Sequence, residues 1–397
     1  MNILQVRPYL ISAIIGSFLF ACVEEIDITE QLTFEDAIVV EATITNELKV
    51  QRIFISRTYK FEDEGPTAES GALVSISMND NTIINFYEET PGNYLSTEAF
   101  KAEPENEYQL RIQANNGMAY ISRKVLLSKA IEIDKLYATR EFNSIGTEIL
   151  SINVDSYDPD RESNYYRYEY EETYEIVAPK WVNKDFILLP GPQPGFGPRP
   201  IEEKVCYNGN LSNTIIQTST TNFSEDRVSK YPVRTIASND PIIGHTYSIL
   251  VKQYIQSLEA YTYFNVLDQL SGSGNLFSQI QPGYFNSNIV STEDKNEKVL
   301  GFFEVTSVSE KRIFVNYEDL FPGEEKPPYY NECDIYAPSI GALLATPLRD
   351  AIENGQVKYY RFNGDQLEFE GPYDVVDRPC GDCTVYGTSE KPDFWED

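Results

Sequence analysis

The chain has 397 residues, with 62 acidic side chains, 32 basic side chains and a single histidine, and its formal net charge is −30. This negative balance argues against nucleic-acid binding, which depends on clustered Lys and Arg, and one imidazole excludes a histidine metal cluster. Apolar residues make up 41% and aromatic residues 13% of the chain, which suits folded cores and excludes a disordered composition.

The first 21 residues have the pattern of a signal peptide. Arg7 is the only charged residue before Cys22, and residues 9–21 form an uncharged, mostly apolar run. The run is too short for a transmembrane helix, which needs about 20 apolar residues. We therefore predict that residues 1–21 are a signal peptide removed on export.

Cys22 follows directly after the apolar run. The segment Leu19-Phe20-Ala21-Cys22 resembles a bacterial lipobox, whose cysteine receives acyl chains such as palmitate and becomes the new N-terminus. The alternatives are an ordinary secretory signal with a chance cysteine, or a cysteine buried in a core helix. Residues 22–34 are predicted to be an acidic linker, and its first acids resemble the export signal of surface-exposed lipoproteins. We expect an outer-membrane protein, lipid-anchored at Cys22 and exposed at the cell surface.

Residues 35–130 predict a β-sandwich domain, Ig-like or transthyretin-like. Apolar and outward positions alternate through residues 38–44, which is the period of a half-buried strand. The pattern recurs at residues 53–55, 74–78 and 108–112, with turn residues between the strands. Short strands separated by turns are typical of a sandwich.

Residues 131–397 predict a larger β-rich domain with one or two short helices. In the strand predicted at residues 165–176, four tyrosines share one face, which indicates either an aromatic core face, the favoured interpretation, or a platform for a sugar or peptide. They are Tyr166, Tyr168, Tyr170 and Tyr174.

Three further segments of this domain carry local predictions. Residues 189–200 hold five prolines and three glycines, which predicts an extended Pro-rich loop or a semi-rigid arm. Residues 257–270 predict a helix capped by Ser257. Residues 299–305 and 313–317 predict two paired strands around a polar turn at residues 307–311.

The four cysteines beyond Cys22 are disulfide candidates, since an exported protein meets an oxidising environment. They are Cys206, Cys333, Cys380 and Cys383, which allow three pairings. A bridge between Cys380 and Cys383 would close a small ring, whereas the other pairings would join the C-terminus to the body of the domain. Zinc is disfavoured because only one Cys-x-x-Cys pair exists.

The sequence contains no recognisable catalytic motif. It has no Gly-x-Ser-x-Gly elbow, no phosphate-binding P-loop and no Gly-x-Gly-x-x-Gly unit, and no pair of carboxylates is singled out for glycoside hydrolysis. His245 is interpreted as a structural or surface residue. Asp155, Asp158 and Asp160 predict a solvated turn, with a calcium site as the disfavoured alternative. We predict no enzyme activity, no catalytic residues, no metal and no cofactor.

Several short segments occur in a definite order along the mature chain. They are residues 38–46 (IVVEATITN), 70–76 (SGALVSI), 91–94 (PGNY), 157–159 (YDP), 164–166 (NYY), 299–303 (VLGFF), 380–384 (CGDCT) and 391–395 (KPDFW). Together they resemble the landmarks of a family of Bacteroidota lipoproteins known as domain of unknown function 4249 (DUF4249). The N-terminal sandwich also resembles carboxypeptidase-regulatory-like or transthyretin-like modules, which are generally non-catalytic.

The resemblance implies a surface lipoprotein that is often encoded beside a TonB-dependent outer-membrane transporter of the SusC type. The expected function is therefore a non-catalytic accessory or ligand-capture partner of such a transporter. The alternatives are a surface adhesin or structural module, and a hydrolase of surface glycans or peptides. The expected partners are the membrane, through the lipid on Cys22, and the transporter.

Overall fold

The computed structural model describes residues 36–59, 63, 65–79, 81–191, 193–272, 287–340, 346–364 and 371–395, with the backbone alone at 270–272. The signal peptide, Cys22 and the acidic residues after it lie outside these ranges, so the lipid anchor stays a prediction. Within the described ranges, no helix has the length and apolar character needed to cross a bilayer.

The described chain is mainly β, as the sequence predicts. The first strands are β1 (Ile38–Thr45), β2 (Arg52–Arg57), β3 (Thr67–Ala68), β4 (Leu73–Met78), β5 (Thr82–Thr90), β6 (Asn93–Ser96), β7 (Glu107–Gln113), β8 (Ala119–Ser122), β9 (Val125–Leu126), β10 (Ile133–Phe142), β11 (Glu148–Asp158) and β12 (Tyr165–Val177). They are followed by β13 (Lys184–Ile187), β14 (Gly195–Pro198), β15 (Val205–Leu211), β16 (Ile216–Ser219), β17 (Asp226–Ala237), β18 (Thr246–Ile255), β19 (Ile289–Ser291), β20 (Val299–Thr306), β21 (Val308–Asn316), β22 (Val357–Phe362) and β23 (Tyr373–Asp377).

The helices are few and mostly short. Those in the described ranges are α1 (Leu258–Gly272), α2 (Tyr317–Leu320), α3 (Pro347–Glu353) and α4 (Arg378–Gly381), with 3₁₀ turns at Pro241–Ile243 and Cys383–Val385. Helix α1 confirms the helix predicted at residues 257–270. Ser257 caps it as expected, because the hydroxyl accepts a hydrogen bond of 3.1 Å from the Ala260 N–H.

The first sheet has eleven strands, which run in the order β19-β8-β7-β4-β5-β6-β2-β1-β20, with β3 paired to β2 and β9 paired to β7. The alternation seen in the sequence of β1 decides which side chains point inward, and Ile38 and Val40 are completely buried. Strands from both ends of the path contribute to one core, as Ile289 and Phe303 show. The sheet therefore curves around its own core as a nearly closed, barrel-like sandwich.

Two strands of the first sheet come from much later in the chain. Strand β19 pairs with β8, and β20 pairs in parallel with β1 from Ile38↔Val299 to Thr45↔Thr306. A parallel pair needs a crossover connection, and here residues 46–298, with strands β2 to β19, lie between the two paired strands. The first sheet thus contains strands from before and after residue 130. The domain boundary at that residue stays a prediction.

The strand pair predicted at residues 299–317 is wrong. Strands β20 and β21 belong to different sheets, since β20 pairs with β1 and β21 pairs with β18, and only Ser307 separates them. The polar residues are not a turn. Ser307 donates from its N–H to the Ser128 hydroxyl at 2.9 Å and from its own hydroxyl to the Lys129 carbonyl at 2.8 Å. These bonds hold the point where the chain passes from one sheet to the next.

Two further sheets share one core, and together with the chain that packs on them they are called the second body below. They are β10-β11-β17 and β15-β12-β18-β21, with β16 also paired to β12. Tyr166, Tyr168 and Tyr174 on β12 are buried in this core, and Tyr170 packs against it. This arrangement confirms the interpretation of the tyrosine face as core, because three of the four rings are inaccessible to a sugar or peptide.

The Pro-rich segment contains a short strand, which corrects the predicted loop at residues 195–198. Strand β14 pairs with β13 in a two-stranded hairpin, and Pro198 is tolerated because a hairpin this small leaves each strand with an open edge. The centre of the Phe196 ring lies 5.5 Å from the centre of the Phe186 ring and 4.9 Å from that of Tyr359. Aromatic packing therefore holds the segment against β22.

Two disulfides join the C-terminal Cys-Gly-Asp-Cys segment to the rest of the second body. They connect Cys206 to Cys383 and Cys333 to Cys380, each with 5.6 Å between the Cα atoms. Of the three pairings that the sequence leaves open, the structure thus has one that joins the segment to distant residues.

Candidate functional site

A buried ion pair lies where the first sheet meets the second body. Arg167 on β12 donates from Nη2 to Glu304 Oε2 on β20 at 3.2 Å. The two residues are only 7% and 4% exposed. Because β20 belongs to the first sheet and β12 to the second body, the pair crosses the junction between them.

The Arg167 guanidinium lies between two aromatic rings. Its Cζ is 4.2 Å from the centre of the Tyr254 ring and 4.9 Å from that of Phe264 on helix α1. Nη1 also contacts Glu169, which accepts a hydrogen bond of 2.7 Å from the Tyr254 hydroxyl. Two carboxylates and two π faces therefore stabilise one buried cation.

The electrostatics of the pair follow from its burial. Burial raises the pKa of Glu304, and the Arg167 charge opposes that shift without cancelling it. Burial also acts to lower the pKa of Arg167, but the charges of Glu304 and Glu169 outweigh it and the net shift is upward. Arg167 is therefore a permanent cation at the junction, and Glu304 is the member of the pair that pH can neutralise.

Three cavities surround the ion pair. The largest of the three, of about 690 Å³, is bounded by the segment 123–129, by the residues just before α1 and by β20. Gln256 and Glu304 are among the residues that line it. A second, of about 470 Å³, lies between α1 and the β1–β20 pair, and a third, of about 400 Å³, lies beside β12. Arg167 and Phe264 line both smaller cavities, so the ion pair separates all three.

Several polar atoms at the junction have unused hydrogen-bonding capacity. Within the described ranges, no partner is found for either side-chain amide atom of Gln256, for Glu304 Oε1, for Ser163 Oγ or for Arg167 Nε. Gln256 lies close enough to Glu304 to favour its charged form, but no aligned hydrogen bond joins the two side chains. A buried polar atom without a partner costs about 1–3 kcal/mol, so a cluster of them calls for a functional explanation.

The four disulfide cysteines and His245 lie away from this junction, whereas Tyr168 and Tyr170 line the third cavity and Ser257 lines the largest. The disulfides tie the C-terminal segment to the second body. His245 is half-buried just before β18, and burial lowers its pKa, with the Lys326 charge acting in the same direction. Neither the disulfides nor His245 contributes to the three cavities.

The Asp-rich turn is exposed at residues 159–162, as the sequence predicts, but Asp158 departs from that prediction. Asp158 is fully buried and accepts hydrogen bonds from the N–H groups of Glu162 and Ser163, and Lys129 Nζ lies 3.1 Å from it. Its carboxylate thus organises the turn instead of facing water. Within the described ranges, no group of three or more His, Cys, Asp and Glu residues is arranged to hold a metal ion.

Arg167, Gln256 and Glu304 were not identified from the sequence, although one of them carried a signal. Glu304 is the only charged residue in β20, whose eight residues read VLGFFEVT. A carboxylate in so apolar a strand requires a buried partner. Arg167 gave a weaker signal because β12 is rich in charges, and Gln256 gave none.

The geometry defines a mainly β protein whose two bodies enclose cavities around a buried ion pair. A family model described as "Domain of unknown function (DUF4249)" matches residues 23–312, and the chain belongs to this family. The match includes Arg167, Gln256 and Glu304 and ends before Cys333. No curated protein matches the chain.

Proposed function

We propose that this protein is a non-catalytic accessory lipoprotein of the outer membrane, lipid-anchored at Cys22, that captures a ligand at the cell surface for a TonB-dependent transporter of the SusC type. The observation that carries the proposal is the cavity of about 690 Å³ at the junction, which is lined by both polar and apolar side chains. Binding pockets for small ligands have this size.

The roles of the two carboxylates at the junction support binding over hydrolysis. Both Glu169 and Glu304 contact Arg167. A glycosidase requires one acid held protonated and a second acid facing it across the scissile bond. Here both acids contact the same cation, Arg167, and these ion pairs hold the side chains between the cavities in a fixed position.

The location and the partner rest on the sequence. The lipobox-like segment ending at Cys22 and the acidic residues after it support an anchor and surface exposure, and the resemblance to Bacteroidota lipoproteins supports the transporter. The net charge of −30 suits a soluble ectodomain that does not lie on an anionic membrane surface.

Affinity purification tests the proposal directly. The full-length protein, carrying a C-terminal tag and extracted in mild detergent, should bring down a large β-barrel transporter, and its deletion should reduce uptake of the transporter's substrate. The Cys22→Ala variant is the control, since it should be released from the membrane and should lose the transporter. Recovery of the lipoprotein alone, or a deletion that impairs attachment while uptake is unchanged, would instead favour an adhesin.

A further inference from the structure

Apolar side chains project into solvent from the hairpin of β13 and β14. Ile187, Leu188 and Leu189 are 47%, 42% and 48% exposed, and Phe196 on the facing strand is exposed as well. In the part of the chain that the structure describes, no other three consecutive residues are all large, apolar and exposed. These four side chains are called the apolar tip. Exposed apolar clusters mark sites that contact a protein or a membrane.

We propose that the apolar tip inserts into the surface of the lipid bilayer that holds the protein, as a second contact beside the acyl chains on Cys22. This inference rests on the proposed lipid anchor and goes beyond it, because it assigns a membrane contact to the folded chain. Residues 22–35 can extend at most about 50 Å, so the anchor keeps the tip near the bilayer and a weak contact is sufficient.

The composition of the hairpin suits lipid. Residues 186–198 include no charged side chain, although charged residues make up 24% of the chain. Ile187 and Leu189 lie over two glycines of β14, since a Cβ on Gly197 would be 2.5 Å from Ile187 Cδ1 and one on Gly195 would be 2.8 Å from Leu189 Cδ1. The glycines leave room for both side chains, and this face of the hairpin therefore presents aliphatic carbon.

Two backbone carbonyls at the tip are already bonded within the protein. Arg349 on α3 donates from Nη1 to the carbonyls of Leu189 and Gly191, at 2.9 and 2.6 Å. Its Nε lies 2.7 Å from Glu353, so a carboxylate balances the charge of this cation. A backbone group that enters lipid has no water to bond with. Carbonyls that are bonded beforehand therefore lower the cost of insertion.

The open edge of β14 is unsuited to pairing with a strand of another protein. Arg199 donates from its N–H to the Asn183 carbonyl across the hairpin at 3.3 Å, so the even-numbered residues of β14 face the open edge with their backbone groups. Two of the even-numbered residues here, Pro194 and Pro198, have no N–H to donate. The side chains of the apolar tip, and not its backbone, are thus the feature available for contact.

Lys184 and aromatic rings lie at the base of the tip. Lys184 is exposed, and its Nζ is 5.0 Å from the centre of the Tyr359 ring and 5.7 Å from that of Phe196. A lysine in this position can reach headgroup phosphates while the apolar side chains enter the layer beneath them. The net charge of −30 opposes an anionic surface, so the lipid we expect is zwitterionic.

Fluorescence quenching by lipid tests the contact. The full-length Leu188→Trp variant, reconstituted through its anchor into phosphatidylcholine vesicles, should lose emission when the acyl chains carry bromine near the headgroup. The wild-type protein supplies the background from Trp181 and Trp395. Leu73→Trp is the matched control, because Leu73 is also an exposed apolar strand residue but lies in the first sheet, and its emission should not change.

Three results would overturn the inference. They are no quenching of Leu188→Trp, equal quenching of Leu188→Trp and Leu73→Trp, and quenching that appears only when anionic phosphatidylglycerol is added. We expect phosphatidylglycerol to reduce the quenching, because the protein carries a large negative charge.

Leu188→Asp distinguishes lipid from other occupants of the tip. It should leave both the transporter complex and the oligomeric state in detergent unchanged, since neither uses this surface. If Leu188→Asp loses the transporter or dissociates an oligomer, and Leu188→Trp is not quenched, the tip is a protein interface and the inference is wrong.

The outcomes for the tip and for the proposed function are separable. An anchored protein that retains its transporter but shows no quenching rejects the lipid contact alone. Quenching of Leu188→Trp without recovery of a transporter rejects the proposed function and supports the lipid contact.

Discussion

Substitution of Arg167 by Met should destabilise the protein by about 3–5 kcal/mol, because it leaves the Glu304 carboxylate buried without its cation. Met retains the unbranched length of the side chain and its contact with the Tyr254 and Phe264 rings, so the loss reports the charge more than the packing. Glu169 is the lesser contributor, since its side chain is 46% exposed and water can solvate it.

The expected deficit depends on pH in a definite direction. Burial already raises the pKa of Glu304 with Arg167 present, and removal of the guanidinium raises it further. A carboxyl group whose pKa is higher in the folded state than in the unfolded state destabilises the fold at pH values above the folded-state pKa. It has no such effect at pH values below the unfolded-state pKa, which is about 4.3. The deficit of Arg167→Met should therefore shrink as the pH falls.

Equilibrium urea unfolding of the full-length protein measures the effect through the change in midpoint at constant slope. Glu259→Gln is the matched control, because its pair with Arg123 is exposed and should contribute less than about 1 kcal/mol. The double variant Arg167→Met/Glu304→Leu should recover most of the lost stability, since a buried pair can be replaced by apolar side chains of similar size. Equal deficits in Arg167→Met and Glu259→Gln, or a double variant less stable than Arg167→Met, would refute the reasoning.

Three further predictions follow from other features. Gly301 has φ +115°, and a Cβ there would lie 2.0 Å from a backbone oxygen of β1. Gly301→Ala should therefore reduce the urea midpoint far more than the control Gly117→Ala, where φ is +91° and no atom lies within 4 Å of the added Cβ. Removal of the Cys206–Cys383 bridge, which closes a sequence separation of 177, should cost about 2–5 kcal/mol, and unchanged midpoints in the Ser variants would contradict this. Cys22→Ala should move the protein from the membrane fraction to the soluble fraction, and persistence at the membrane would contradict acylation.

Local patterns were sufficient for much of the secondary structure. The alternation through β1 placed Ile38 and Val40 in the core, and the spacing after Ser257 identified helix α1 and its cap. These features depend on neighbours within a few residues, where periodicity and capping act. The tyrosine face of β12 was interpreted correctly for the same reason.

Pairing between distant strands could not be predicted in this way. Residues 299–305 look like half of a hairpin with residues 313–317, yet β20 pairs with β1. A strand's pattern shows which face is buried and not which strand lies beside it. The same limit applies to the candidate site, since Arg167, Gln256 and Glu304 meet only after the two bodies come together. Glu304 was not identified either, although a lone carboxylate in an apolar strand is a signal for a buried partner.

The parallel pairing of β1 with β20 also constrains the order of folding. During synthesis, the edge of β1 that will receive β20 stays open until residue 306 has emerged, and an open apolar edge is a site for mispairing. Contacts between residues so far apart in sequence slow folding, because the long intervening loop must close first. The first strand of the sheet is therefore completed late, and its open edge needs protection until β20 is available to pair with it.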